Sequence, residues 1–222
     1  PGAAFSNSLG AAGHAGNESE FRQAYLTFGD ASWGTIKVGK DLGVFGSDAI
    51  LNDMTLLGVG AGATVSGQST TYGGIGTGYL YAAWKGQATY TTPNFNGFQA
   101  TVGITNPNQA STNSLNQDRF GLEGKVSYSF NQAGVSGKVW TSGASYKVQP
   151  TSGSEYTAWA ADVGATASYG AFGLTGYYYQ GEGAGTTTFG SNGADASGNK
   201  RDSDGYYVQG TYTLPTNTKL GV

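Results

Sequence analysis

The sequence predicts an all-β chain, an antiparallel barrel that crosses a membrane with its strands. Three observations carry this. Apolar and polar residues alternate with period two along nearly the whole chain, short and long connections alternate between those segments, and abundant glycine occurs together with abundant aromatics. Of 222 residues 39 are glycine, about 18% against a usual ~7%. With 15 Tyr, 10 Phe, 4 Trp and only 11% charged residues, the glycine does not mark a disordered linker. Five prolines and no three-residue glycine period exclude a collagen-like chain.

The segments run in order as about ten strands: 20–29, 34–42, 84–92, 97–105, 119–130, 135–147, 156–169, 172–181, 205–214 and a stub at 218–222. Phe98, Ala100, Val102 and Ile104 oppose Gln99, Thr101, Gly103 and Thr105. Phe120, Leu122, Val126, Tyr128 and Phe130 oppose Glu123, Lys125, Ser127 and Ser129. Trp159, Ala161, Val163, Ala165, Ala167 and Tyr169 oppose Asp162, Thr166 and Ser168, and Val208, Tyr212 and Leu214 oppose Gln209, Thr211 and Thr213. Each such segment has one apolar and one polar face. In 135–147 the apolar parity changes, from Val135 and Val139 to Ala144, Tyr146 and Val148, which predicts a bulge near Thr141–Gly143.

The turns at 30–32, 93–96, 131–134, 170–171 and 215–217 are short, whereas 43–83, 106–118, 148–155 and 182–204 are longer and rich in Gly, Ser, Asn and Thr. Tight turns on one side and long loops on the other are the pattern of an outer-membrane barrel. Tyr25, Phe28, Trp33, Phe95, Phe98, Phe120, Tyr128, Phe130, Tyr169 and Phe172 lie at segment ends, where an interfacial aromatic girdle belongs. Tyr177, Tyr178 and Tyr179 put aromatics on both faces of one strand, which a girdle does not explain. The connection 43–83 contains Ser47–Met54, a short helix with Ser47 as its predicted cap, and its Ile50, Leu51, Met54, Leu56 and Leu57 call for a packing partner.

Eleven basic and 14 acidic residues give a net charge of -3 with no basic cluster, so nucleic acid is not an expected partner. Without cysteine there is no disulfide, thiolate ligand or thiol nucleophile. The single histidine, His14, stands in a Gly-Ala stretch, away from any triad geometry, and zinc lacks ligands. The run Gly58–Gly62 has no following lysine to make a phosphate cradle, and Asn17–Ser19 fits a glycosylation sequon, a pattern with a high false-positive rate. No enzyme and no cofactor is expected. A soluble alternative remains open: a secreted or surface β-sandwich that binds glycans through its tyrosines and tryptophans.

The motifs RQAYLTF (22–28), WGTIKVGKDLGVFG (33–46), ATYTTPNFNGFQATVGI (88–104) and DGYYVQGTYTLPTNTKLGV (204–222) resemble the trimeric general porins of Gram-negative outer membranes. The turn at 93–97 is the most specific match, and the similarity is weakest in the long loops. The resemblance implies a water-filled channel for passive diffusion of ions and small hydrophilic solutes, contact with outer-membrane lipid and a homotrimer. It further implies that 43–83 is a constriction loop folded inward within one barrel domain spanning 1–222. Barrels of that family have sixteen strands, so these ten resemble strands four to thirteen. The chain is expected to be a piece of such a barrel, with a strongly curved, incompletely closed sheet, 43–83 on its concave face, and 1–19 as a loosely held external loop.

On this mapping Asp48 and Asp53, and less directly Asp41, sit at the constriction, facing lysines of the wall across water. A transverse field of that kind would screen ions by sign. An acidic residue near a helix start is otherwise an ordinary dipole partner. By alternation Lys37, Glu123, Lys125, Lys138, Asp162 and Lys219 point into the lumen, and Lys40 follows Gly39 at a strand end, where parity does not fix its side. A charge on a strand is ordinarily just solvated, and in a barrel with an apolar exterior the lumen is the solvated face.

Overall fold

The computed structural model describes residues 21–56, 76–106, 115–116, 119–150, 154–186, 189–190, 192–195 and 197–222. The expectations placed on 1–19, with His14 and Asn17–Ser19, and on Gly58–Gly62 lie outside these residues.

The described residues form eleven strands: β1 (Ala24–Asp30), β2 (Gly34–Leu42), β3 (Trp84–Thr91), β4 (Phe98–Thr105), β5 (Leu115–Asn116), β6 (Gly121–Gln132), β7 (Val135–Pro150), β8 (Tyr156–Tyr169), β9 (Phe172–Glu182), β10 (Asp202–Thr213) and β11 (Lys219–Gly221). Ten of them make one antiparallel sheet in chain order, and β5, inside the expected loop 106–118, pairs with the end of β7. Among the described residues β1 pairs only with β2 and β11 only with β10, so the sheet does not close on itself. A single sheet also removes the sandwich alternative, which needs two.

Every pairing is in uniform register, which settles the parity question in β7. Gln132 pairs Val135 and Leu122 pairs Ser145 without a slip between, and Val135–Tyr169 through Val148–Tyr156 run equally evenly. The expected bulge at Thr141–Gly143 is absent. The hydrophobic pattern changes there because Ala144, Tyr146 and Val148 lie, with Trp140, on the inner face and are buried by a loop.

The other face matches the alternation. Leu26, Phe28, Val38, Val102, Ile104, Leu122, Val126, Val163, Leu174 and Val208 are all exposed. So are Trp33, Phe95, Phe98, Phe120, Tyr128, Tyr169 and Phe172, with Phe172 packed on Tyr212 at 4.9 Å, whereas Tyr25, expected in the girdle, lies on the inner face with Lys37 Nζ 4.9 Å from its ring. Aliphatics along the strands and aromatics near their ends are what a bilayer and its interface solvate. Of the three consecutive tyrosines, Tyr178 is exposed on this apolar face, while Tyr177 and Tyr179 are buried on the other.

The inner face carries the core. After β2 the chain crosses this face, forms α1 (Ser47–Asn52) and a 3-10 turn at Met54–Leu56, and re-enters β3 through Tyr79–Ala83. Ala144, Ala158 and Ala160 give α1 room to approach the wall, while Tyr146, Tyr156, Tyr177 and Tyr179 fill the space around it. Ser47 is not the helix cap. Gly46 holds that position at φ 72°, a left-handed conformation that suits glycine, and makes no side-chain cap bond. The Ser47 hydroxyl donates instead to the Val44 carbonyl at 2.8 Å.

Candidate functional site at the inward loop

The sheet register brings the charged residues of the inner face into rows. Thr101, Lys125, Ser142 and Asp162 are successive partners across β4, β6, β7 and β8, and the row through Ser129, Lys138 and Thr166 lies nearer the short turns. Asp48, in the first turn of α1, sits over both rows. Its Oδ2 lies 2.7 Å from Lys125 Nζ and its Oδ1 2.5 Å from Lys138 Nζ, and Lys125 also donates to Ser47 Oγ at 3.0 Å. The lysine side chains keep 21% and 30% of their exposure. Expected to face Asp48 across water, they are instead in direct contact with it. Burial opposes the charge on Asp48, but Lys125 and then Lys138 outweigh it and hold the carboxyl below its ordinary value.

Glu123 differs most from expectation. It faces inward but borders no water: it is 1% exposed, beneath the loop. Its Oε1 accepts from Lys85 Nζ at 2.5 Å and from the Tyr146 hydroxyl, and its Oε2 accepts from the Phe45 N–H at 2.9 Å. Lys85 Nζ also donates to Tyr146 Oη at 3.0 Å, and Thr105 Oγ1 lies 2.7 Å from the same oxygen. A charge pair this buried survives because further hydrogen bonds from Tyr146, Thr105 and the Phe45 N–H support it. Lys85 was not singled out from the sequence, although its position one residue into the strand after the long connection was visible.

The remaining expected residues take several places. Asp41 pairs with Lys37 four residues earlier on the same strand face and accepts from Gln23 Nε2 at 2.8 Å. Lys40 is buried beside Gly39. Among the described residues Asp53 pairs with no wall lysine. Its Oδ1 accepts from the N–H and hydroxyl of Thr55, and its Oδ2 from the Tyr79 hydroxyl, each within 2.8 Å. Asp162 is buried, accepting from the Ser142 N–H at 2.7 Å and the Tyr177 hydroxyl at 3.1 Å. Lys219 is exposed on the edge strand β11. The structure thus brings Asp48, Lys125 and Lys138 together and leaves Lys37–Asp41, Asp53 and Lys219 as separate charges.

The far end of α1 docks on β10. The Tyr207 hydroxyl donates to Ala49 O at 2.8 Å, while the Gln209 amide donates to Asn52 O at 3.0 Å and accepts from the Met54 N–H at 2.7 Å. Tyr207 stacks on Tyr177 at 5.5 Å and Tyr79 lies 5.8 Å from Tyr207. Of the apolar loop residues expected to need partners, Ile50 is buried in this cluster and Leu56 packs against it, whereas Leu51 is 60% exposed and Leu57 lies outside the described residues.

The arrangement has polar side chains, fixed charges and no nucleophile–base pair, and among the described residues no three His, Asp or Glu side chains could hold a metal. Such a surface can sort ions and dipoles. No curated protein matches the chain at a significant level. A family model described as Gram-negative porin matches residues 2–222. The chain therefore belongs to the Gram-negative porin family, whose members are non-enzymatic diffusion channels of the outer membrane.

Proposed function

We propose that the segment 43–83 is the constriction of this channel and that Asp48, held between Lys125 and Lys138, is the charge that sets which ions pass. The observation that carries the reading is the pair of contacts at 2.7 and 2.5 Å, which ties a loop carboxylate to two different wall strands. Asp41 and Lys37 add a second charged pair to the lining, and Asp53 and Lys219 contribute single charges beside it. Glu123 acts underneath, holding the loop at Phe45, and Asp162 ties wall residues Ser142 and Tyr177 together, so neither meets solutes.

The ten-strand sheet is read as part of the wall of a sixteen-strand barrel that assembles as a homotrimer. Support comes from β1 and β11, whose outer edges have no strand partner among the described residues. In hydrocarbon each unpaired backbone group costs several kcal/mol, so a membrane sheet must close with further strands. Small hydrophilic solutes and ions are the cargo.

Liposome swelling with uncharged sugars of graded size tests the constriction. Replacing Phe45–Leu80 with a short Gly-Ser link is expected to admit sugars that the intact protein excludes. An unchanged size limit in a folded, inserted variant contradicts the reading.

A further inference from the structure

We propose that Phe189, carried by the connection between β9 and β10, is a positioning residue of the channel: it clamps Phe45 and thereby fixes where α1 stands in the pore. The inference rests on the reading of 43–83 as the constriction and adds a second loop to its control. Phe189 belongs to an external connection, yet it is 4% exposed. Its ring meets Tyr146 at 4.6 Å and Phe45, edge on, at 6.0 Å.

Phe45 is held from two sides. From the wall, Glu123 Oε2 accepts its N–H at 2.9 Å, within the network that Lys85, Tyr146 and Thr105 complete. From the other loop, Phe189 closes over its ring and over the ring of Tyr146, whose hydroxyl belongs to that same network. Directly after Phe45 comes Gly46 at φ 72°, and directly after that α1 begins. Gly46 is itself enclosed, its N–H donating to Ser142 Oγ at 3.3 Å, so the hold on Phe45 passes directly into the first turn of α1, while Lys125, Lys138 and β10 hold the rest of the helix. The clamp has its own support: the Gly190 N–H donates to Ala184 O at 2.7 Å, and Ala184 is buried at the end of β9. On the other side of the connection the Gly183 N–H donates to Arg201 O at 2.8 Å and the Arg201 N–H to Gly193 O at 2.9 Å, which tie its base together.

The chain has no cysteine, so Ser47→Cys supplies a single thiol on α1 whose reaction with a water-soluble methanethiosulfonate reports release of the helix. A defect confined to the β9–β10 connection would not change that rate. In reconstituted protein, adding Phe189→Ala to Ser47→Cys is expected to raise the labelling rate about tenfold, the effect of losing one aromatic contact, and to increase open-channel current noise. Phe189→Leu keeps apolar volume without the ring contacts and is expected to give a smaller rise. Equal labelling rates and noise with Phe189→Ala overturn the proposal; should that variant not fold, equal rates with Phe189→Leu do so. If Asp48→Asn alters the reversal potential while the Phe189 variants change nothing, the clamp fails and the constriction stands. If neither alters anything, the constriction reading fails with it.

Discussion

Replacing Asp48 by Asn removes one negative charge and leaves Lys125 and Lys138, formerly at 2.7 and 2.5 Å from its carboxylate, facing the water path. For a monovalent ion passing ~5 Å away, a unit charge in water is worth about 0.8 kcal/mol. With a Debye length of ~8 Å at ~0.15 M salt, screening leaves roughly half of that, ~0.45 kcal/mol. Set against an RT of ~0.59 kcal/mol, this about doubles anion occupancy and halves cation occupancy, a four- to fivefold change in their permeability ratio. Low-dielectric walls make the figure a lower bound. The assay is the reversal potential in planar bilayers under a salt gradient, with heat-modifiable migration to verify folding. The shift must be toward anions, with little change in single-channel size. An unchanged reversal potential in a folded channel refutes the placement of Asp48 at the constriction.

Acid should reproduce this shift. Because Asp48 titrates below its ordinary value in the folded protein, its ion pairs are complete above about pH 3.9 and are lost as pH falls further through the folded value. Selectivity is expected to hold from pH 7 to about 4 and turn toward anions only below that, as reversal potentials against pH would show. Val163 is 55% exposed on the apolar face, so Val163→Lys should cost ~2–4 kcal/mol near the bilayer midplane, whereas Thr166→Lys on the inner face is tolerated. Equal unfolding free energies in lipid would contradict the face assignment. Glu123→Gln strands a buried lysine and should cost about 3–5 kcal/mol in thermal or denaturant unfolding, and Lys85→Met,Glu123→Leu together should cost less than either alone.

The strands were legible because a sheet that meets lipid on one face and water on the other must alternate. β8 begins and ends where the alternation does, at Tyr156 and Tyr169. The loop's footprint was also written in the sequence, but in a form with two readings. Ala144, Tyr146 and Val148 break the parity of β7, and a bulge or a covered patch on the polar face would both produce that break. Only the register, which is continuous, distinguishes them. The three tyrosines of β9 were the same signal, since Tyr177 and Tyr179 face the loop and Tyr178 the apolar side. Alternation likewise gave the side of Glu123 and Lys125 but not their depth. Depth depends on what crosses above them, a long-range contact of Phe45 with Glu123 that no local pattern encodes. Lys85 and Phe189 were missed for that reason: each acts through a partner far away in the chain.

The most direct measurement of the central claim is single-channel recording of the intact protein in planar bilayers. A water-filled pore narrowed by a fixed loop predicts discrete conductance steps that grow in proportion to the bulk conductivity of the salt, with no saturation. Absence of steps, or a conductance that saturates with salt as at a binding site, would contradict the account.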